Sequence, residues 1–178
     1  MVRRPLLAAC LLAALLSCLP AAALGGGKGL TASGDELRAL FVQRLVGYVT
    51  WPEGAGPGPG QPVIIAATDP SALRPYFPDD GDGPRFVVRQ WPTDHCHVLV
   101  LNGVPAREAA AILKRTMGLP VLSIGENPAN LRLGAIVNFY MANDRLRLQV
   151  SPEAARRAGL GISSRLLKIS SIYRGEDE

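Results

Sequence analysis

The stretch HVLVLNGVPAREAAAILKRTMGLPVLSIG, His97 to Gly125, decides the fold. Its opening, His97 to Leu101, is an apolar run of strand length with the character of a central strand. Pro105 to Met117 reads as a helix, with alanines at 106, 109, 110 and 111, Leu113 on its apolar side and Gly118 as its stop. Leu119 to Gly125 is a second buried strand. Strand, helix and strand in this order are the building unit of an α/β sandwich.

The alternation continues outward on both sides. Upstream, Val63 to Ala67 is a continuous apolar run, the pattern of a strand covered on both faces. Arg85 to Trp91 alternates Phe86 and Val88 against Val87 and Arg89, and Trp91-Pro92 ends it. Between them, Leu73, Tyr76 and Phe77 suit one or two helical turns, and DDGDGP at Asp79 to Pro84 reads as a solvated turn. It lacks the spaced carboxylates and closing glutamate of a calcium loop. Downstream, a short turn at Pro128 to Leu131 precedes Ile136 to Met141 and Leu146 to Val150. Asn143-Asp144 between those runs tolerates positive φ, so they form an antiparallel hairpin. Ser151-Pro152-Glu153 opens a helix that Gly159 closes. Ile162, Leu166, Ile169 and Tyr173 stripe a last helix. The expectation is a single-domain α/β sandwich over 33–175. It has a mixed sheet of five or six strands flanked by helices, and one C-terminal antiparallel hairpin.

Ahead of the first strand stands SGDELRALFVQRLVGYVTWP, Ser33 to Pro52, read as one helix. Ser33 and Glu36 have capping-box spacing, and Pro52 disfavours helical geometry at Trp51. Leu37, Leu40, Phe41, Leu45, Tyr48 and Val49 follow the helical period, and Val42 and Val46 widen the stripe. Either the domain wraps this helix on several sides, or part of its face meets a partner. Leu37, Phe41, Arg44 and Tyr48 are the partner-binding candidates. The stretch EGAGPGPGQP after it, Glu53 to Pro62, holds neither helix nor ladder and is a surface loop.

The chain begins with Arg3 and Arg4, an apolar run from Leu6 to Leu19, and the triplet Ala21-Ala22-Ala23. This is the layout of an export signal, residues 1–23, cleaved after Ala23. An alternative is a lipoprotein box at Leu15 to Cys18, with Cys18 lipidated. Residues 24–32 form a glycine-rich leader and 176–178 an acidic tail. Loss of 23 residues leaves 155, with 17 basic residues against 15 acidic, a net charge of +2. The charges are mixed, with no basic arm or block, which argues against a nucleic-acid partner. Outside the signal Cys96 stands alone, so no intrachain disulfide can form.

Catalytic patterns are sparse. Asp94-His95-Cys96-His97 is the densest cluster, but on a strand His95 and His97 share one face and Cys96 takes the other. His95 and His97 are metal candidates, two ligands short of a tetrahedral site. No nucleophile elbow is present, and the glycines of Gly54 to Gly60 precede a strand where a phosphate loop would follow one. No cofactor is called for, and binding is favoured over catalysis.

Four patches together resemble the YfiR-like family of exported bacterial proteins: YVTWP at Tyr48 to Pro52; CHVLVL at Cys96 to Leu101; PVLSIGENP at Pro120 to Pro128 running into LGAIVNF at Leu133 to Phe139; and RLRLQVSPEAARRAGLGISSRLLKIS at Arg145 to Ser170. The resemblance implies a periplasmic, non-enzymatic α/β domain that forms a homodimer. It further implies repression of a membrane diguanylate cyclase through that enzyme's periplasmic sensor region. Sequestration by an outer-membrane lipoprotein, or redox damage to the fold, would relieve it and raise cyclic-di-GMP and biofilm formation. Trp51, Pro52, Gly134, Asn138, Phe139, Gly159 and Leu166 match motif positions of the family, each with a ready structural reading. Asn138 stands apart, since a polar side chain inside an apolar strand needs hydrogen bonds when buried. The chain departs from the family in Leu133-Gly134, where a glycine pair is frequent, in its short Ser71 to Pro84 segment, and in the unpaired Cys96. A disulfide switch therefore does not transfer. Two other readings remain, a small-ligand sensor with a concave pocket, and a redox or metal enzyme built on His95, Cys96 and His97.

Overall fold

The structure, a computed structural model, describes residues 34–78 and 85–175. The export signal with Ala23 and Cys18, the leader, Ser33 of the capping box, the DDGDGP turn and the acidic tail lie outside the described residues.

A sheet of seven strands forms the middle layer: β2 Val63–Ala67, β3 Phe86–Gln90, β4 Val98–Leu101, β5 Leu122–Gly125, β6 Val137–Ala142, β7 Arg145–Val150 and β9 Ser171–Ile172. Their spatial order is β3-β2-β4-β5-β6-β7-β9. β3, β2, β4, β5 and β6 run parallel, β7 is antiparallel to β6, and β9 lies parallel to β7. Helix α2, Ala106–Thr116, makes the crossover from β4 to β5. Because strands flank β2 and β4 on both sides and helices cover both faces, their sequences are apolar throughout. In the β6–β7 hairpin Asn143 and Asp144 adopt φ of 51° and 56°, which carries the tight turn. Two 3₁₀ turns, Pro70–Ala72 and Arg74–Tyr76, fill the segment between β2 and β3, the first capped by the Asp69 carboxylate accepting from Ser71 N–H.

Alternation along each strand sends side chains to two separate cores. On one face Ile65, Val100, Ile124 and Phe139 pack under α1, Gly34–Val46, whose buried residues are Ala39, Val42 and Leu45. On the other, Ala66, Leu99 and Leu101 meet Ala109, Ile112 and Leu113 of α2. Helices α3, Ala129–Arg132, and α4, Pro152–Arg157, complete the layers. Ser151 caps α4, its Oγ accepting from Ala154 N–H at 3.2 Å.

Three sequence expectations change. The sheet has seven strands, not five or six. The first helix stops at Val46, not Trp51. Gly47 and Tyr48 close its last turn onto Arg44 and Leu45 carbonyls, and Val49–Thr50, β1, pairs antiparallel with Gly161–Ile162, β8. The β-branched pair gains more from a ladder than from another helical turn. Finally, the stripe Ile162 to Tyr173 is not one helix. Only α5, Ser164–Ile169, is helical, bounded by two serines. Ser163 Oγ accepts from Arg165 N–H at 3.3 Å, and Ser170 Oγ donates to the Leu166 carbonyl at 3.0 Å. Such local bonds end helices and release β8 and β9 to the ladders.

Candidate partner-binding face

The core-facing side of α1 is Ala39, Val42 and Leu45, one position round from the stripe read in sequence. The helix is apolar on more than one side, and Ala39 and Val42 let it approach the sheet more closely than leucines would. Leu40 is consequently turned outward and 41% exposed. Leu37 and Phe41 lie half-buried, Arg44 is exposed, and Tyr48 sits beyond the helix in the turn to β1. Gln43 pins α1 to the second 3₁₀ turn by donating to the Tyr76 carbonyl at 2.9 Å.

Phe41 bridges α1 to the hairpin, its ring 6.0 Å from that of Phe139. Two residues along the same face of β6, Met141 is 61% exposed, and its partner across the hairpin is the half-buried Leu146. Leu37, Leu40 and Phe41 on α1 and Met141 and Leu146 on the hairpin, joined through the Phe41–Phe139 contact, are the members of an α1–hairpin apolar strip, on which the exposed Arg44 also stands one turn after Leu40. In the sequence Leu40 falls on the apolar stripe of the helix and Met141 at the end of a strand, but neither is among the partner-binding candidates. Met141 is nevertheless beside the Asn143-Asp144 turn, where a strand runs past its covering helix.

Charge borders the strip on one side. Arg38 donates to Asp35 at 2.9 Å, and its Nε lies 3.0 Å from Glu126 Oε1 but off the line of its N–H. That contact is an ion pair without a directed hydrogen bond. Burial outweighs it and pushes the Glu126 carboxyl above its ordinary value.

The motif positions fall mostly in packing roles. Trp51 stands edge-on to His97, ring centroids 6.5 Å apart, with its indole N–H buried and unpartnered among the described residues. Pro52 lies against Gly159, which has φ +70°, and Gly134 turns with φ +101°. Phe139 and Leu166 are in the core. Asn138 is fully buried, its Nδ2 donating to the Phe139 carbonyl at 3.0 Å and its Oδ1 without a partner among the described residues.

His95 and His97 do meet, Nε2 to Nε2 at 3.2 Å. Ile64 N–H, which can only donate, reaches His97 Nδ1 at 3.0 Å. The neutral His97 ring therefore carries its proton on Nε2 and donates it to His95 Nε2. A metal would need the His97 Nε2 lone pair that this tautomer lacks, so the pair fits a hydrogen bond better than a ligand set. Among the described residues no group of three or more His, Cys, Asp or Glu side chains converges as a metal site requires. Cys96 points into the opposite core, and burial pushes its thiol to about 11. Chain order reverses between β2 and β4, where open α/β sheets form their ligand crevice. There Thr68 Oγ1 donates to the Asn102 carbonyl at 2.7 Å, Asp69 N–H donates to Asn102 Oδ1 at 3.0 Å and Asn102 Nδ2 to the Asp69 carbonyl at 2.7 Å. These polar groups are spent on one another.

The profile of the YfiR/HmsC-like family matches residues 35–171. The chain belongs to the YfiR/HmsC-like family. This family is regulatory, known for control of diguanylate cyclases, and not catalytic. The α1–hairpin strip, β1 and β8 and the His95–His97 pair all fall within the matched span of this YfiR/HmsC-like chain.

His97 gives this fold a pH dependence. Burial first, and then the nearby His95, hold its pKa below the ordinary histidine value. The unfolded chain thus takes up a proton at a higher pH than the folded one. The stability in question is complete above about pH 6.5 and is lost as pH falls through the folded-state value. In His97→Asn, Oδ1 replaces Nδ1 as acceptor for Ile64 N–H without titrating. Urea unfolding at pH 7.5 and 5.5 should show the parent losing more stability on acidification than His97→Asn. Glu126 is common to both chains and cancels in the comparison.

Proposed function

We propose that this chain is a periplasmic, non-enzymatic regulator that binds the periplasmic sensor region of a membrane diguanylate cyclase and represses it. Cyclic-di-GMP and biofilm formation are lowered as a result. Family membership supports the pathway, and the exposed apolar strip supports binding as the means. Soluble proteins seldom leave contiguous large apolar side chains in water without a partner for them. Residues 1–23 direct export in this account, with lipidation at Cys18 as the alternative route to the same compartment. The repressor acts as a homodimer, and sequestration by an outer-membrane lipoprotein is the relieving event.

Leu40→Arg with Met141→Arg tests the surface. Both side chains already face solvent, so thermal unfolding should stay within about 1 kcal/mol of the parent. Placing two charges at the centre of an apolar interface should nevertheless weaken cyclase binding about a hundredfold. Cyclic-di-GMP measured in cells carrying the double variant should rise to the level of a strain lacking the repressor. Repression left intact by the folded variant assigns the interface elsewhere.

A further inference from the structure

On the side of the molecule where β4 and β5 begin, a cleft of about 470 Å³ opens between the end of β3 and the turn after α2. Its size is in the range of small-molecule sites, which are mostly apolar with a few convergent polar groups. Trp91 forms one wall and Leu119, half exposed, the other, over a floor that includes the buried Cys96 and Val121. The Arg115 Cζ lies over the Trp91 indole, 5.3 Å from the ring centre, within cation–π range. The attraction holds the guanidinium at the cleft, and its five N–H groups are donors for a ligand there.

His95 supplies a second donor on the same rim. Its Nε2 accepts from His97, so the neutral ring holds its proton on Nδ1, away from that bond. Among the described residues lining the cleft, Arg115 is the one fixed cation and Asp94 the one acid. A lining so close to neutral disfavours a phosphate or polyanion, and selects a single carboxylate by directed hydrogen bonds more than by net charge. A carboxylate matches the planar guanidinium edge geometrically as well as electrostatically.

We propose that this cleft binds a small monocarboxylate with a flat apolar body, laid between Trp91 and Leu119, its carboxylate held by Arg115 and the His95 Nδ1–H. The occupant is thereby linked through His95 and His97 to the first residues of β2, because Ile64 N–H closes the same line of hydrogen bonds. Trp51, edge-on to His97, places the turn after β1 against that line. The site is distinct from the α1–hairpin strip, and its test involves no cyclase.

The probe is benzoate, with isosteric neutral benzamide as comparator, titrated into ¹⁵N-labelled protein and followed by two-dimensional NMR. Benzoate should give saturable shifts centred on the Trp91 indole N–H, Arg115 and His95, with binding at least about tenfold tighter than benzamide's. Arg115→Gln, at an exposed position, should erase that preference, and Trp91→Leu should weaken both probes. Benzamide binding as well as benzoate in the parent protein overturns the proposal. So do benzoate shifts centred elsewhere, or a preference that survives Arg115→Gln. Should either variant alter the spectrum outside the cleft, the benzoate–benzamide comparison in the parent decides alone.

Discussion

Phe139→Ala should be the most destabilising single substitution on the α1 side of the sheet, costing about 3–5 kcal/mol. Phe139 is 2% exposed at the middle of β6, between β5 and β7, and its ring is the floor on which Phe41 rests. Removal of the ring loses its transfer free energy and leaves a cavity that cannot collapse easily. The parallel strands on one side and the hairpin on the other hold the walls apart. For a domain of this size the loss corresponds to a melting temperature lower by roughly 10 °C. Phe41 loses its support at the same time, so partner binding should weaken even where the variant remains folded. Calorimetry on the variant checks the first part, and a decrease under about 1 kcal/mol would show that the Phe41–Phe139 contact is peripheral to the core.

The second large effect is expected at Gly125, where β5 ends. A methyl group there would overlap Asn130 Nδ2 and lie 2.7 Å from Asn130 Cβ. A flexible side-chain tip could swing aside, but Cβ moves only with its backbone. That backbone is tied down at both ends, Asn130 N–H to the Asn127 carbonyl at 2.8 Å and the Asn130 carbonyl from Ala135 N–H at 2.9 Å. Gly125→Ala therefore has to push α3 off the sheet, an overpacking cost of about 1–3 kcal/mol. Removal of the obstructing Cβ should recover part of it. The double variant Gly125→Ala/Asn130→Gly should be more stable than the sum of the two single changes implies, with a coupling of about 1 kcal/mol in denaturant unfolding. Strict additivity would mean that the clash is relieved elsewhere.

Much of the sheet was legible because parallel buried strands announce themselves. VIIAA, VLVL and LSIG are too apolar for any other place, and the helix from Ala106 closes with a glycine where it should. The hairpin was legible for a local reason, since Asn143-Asp144 accepts the left-handed backbone its turn needs. Three two-residue strands escaped notice because so short a piece has no period to read. Val49–Thr50 was absorbed into the preceding helix and Gly161–Ile162 with Ser171–Ile172 into the last one, where the spacing of Ile162, Leu166, Ile169 and Tyr173 imitates a helical face. The rotation of α1 was hidden too. With Leu40, Phe41, Val42, Leu45 and Val46 all apolar, the pattern could not say which side the sheet would claim.

Leu37 and Phe41, read in the sequence as partner-binding candidates, lie half-buried on the α1 flank of the proposed strip. Leu40 and Met141 complete it only in three dimensions, because an apolar residue left in water has the same letter as one in the core. His95 and His97 were correctly placed side by side, but their proton positions depend on Ile64, more than thirty residues away in the chain. The Trp91–Arg115 contact likewise joins the end of β3 to the end of α2, and neither residue signals it alone.

Repression as proposed requires this chain to grip a membrane cyclase through the α1–hairpin strip. The most direct measurement is affinity purification of the tagged protein from detergent-solubilised membranes of its own bacterium, followed by mass spectrometry, run in parallel with the Leu40→Arg/Met141→Arg variant. The account predicts that the parent recovers a membrane protein with a periplasmic sensor domain and a cytoplasmic diguanylate cyclase domain, and that the folded double variant does not. Recovery of no such protein by the folded parent, or its equal recovery by the variant, would contradict it.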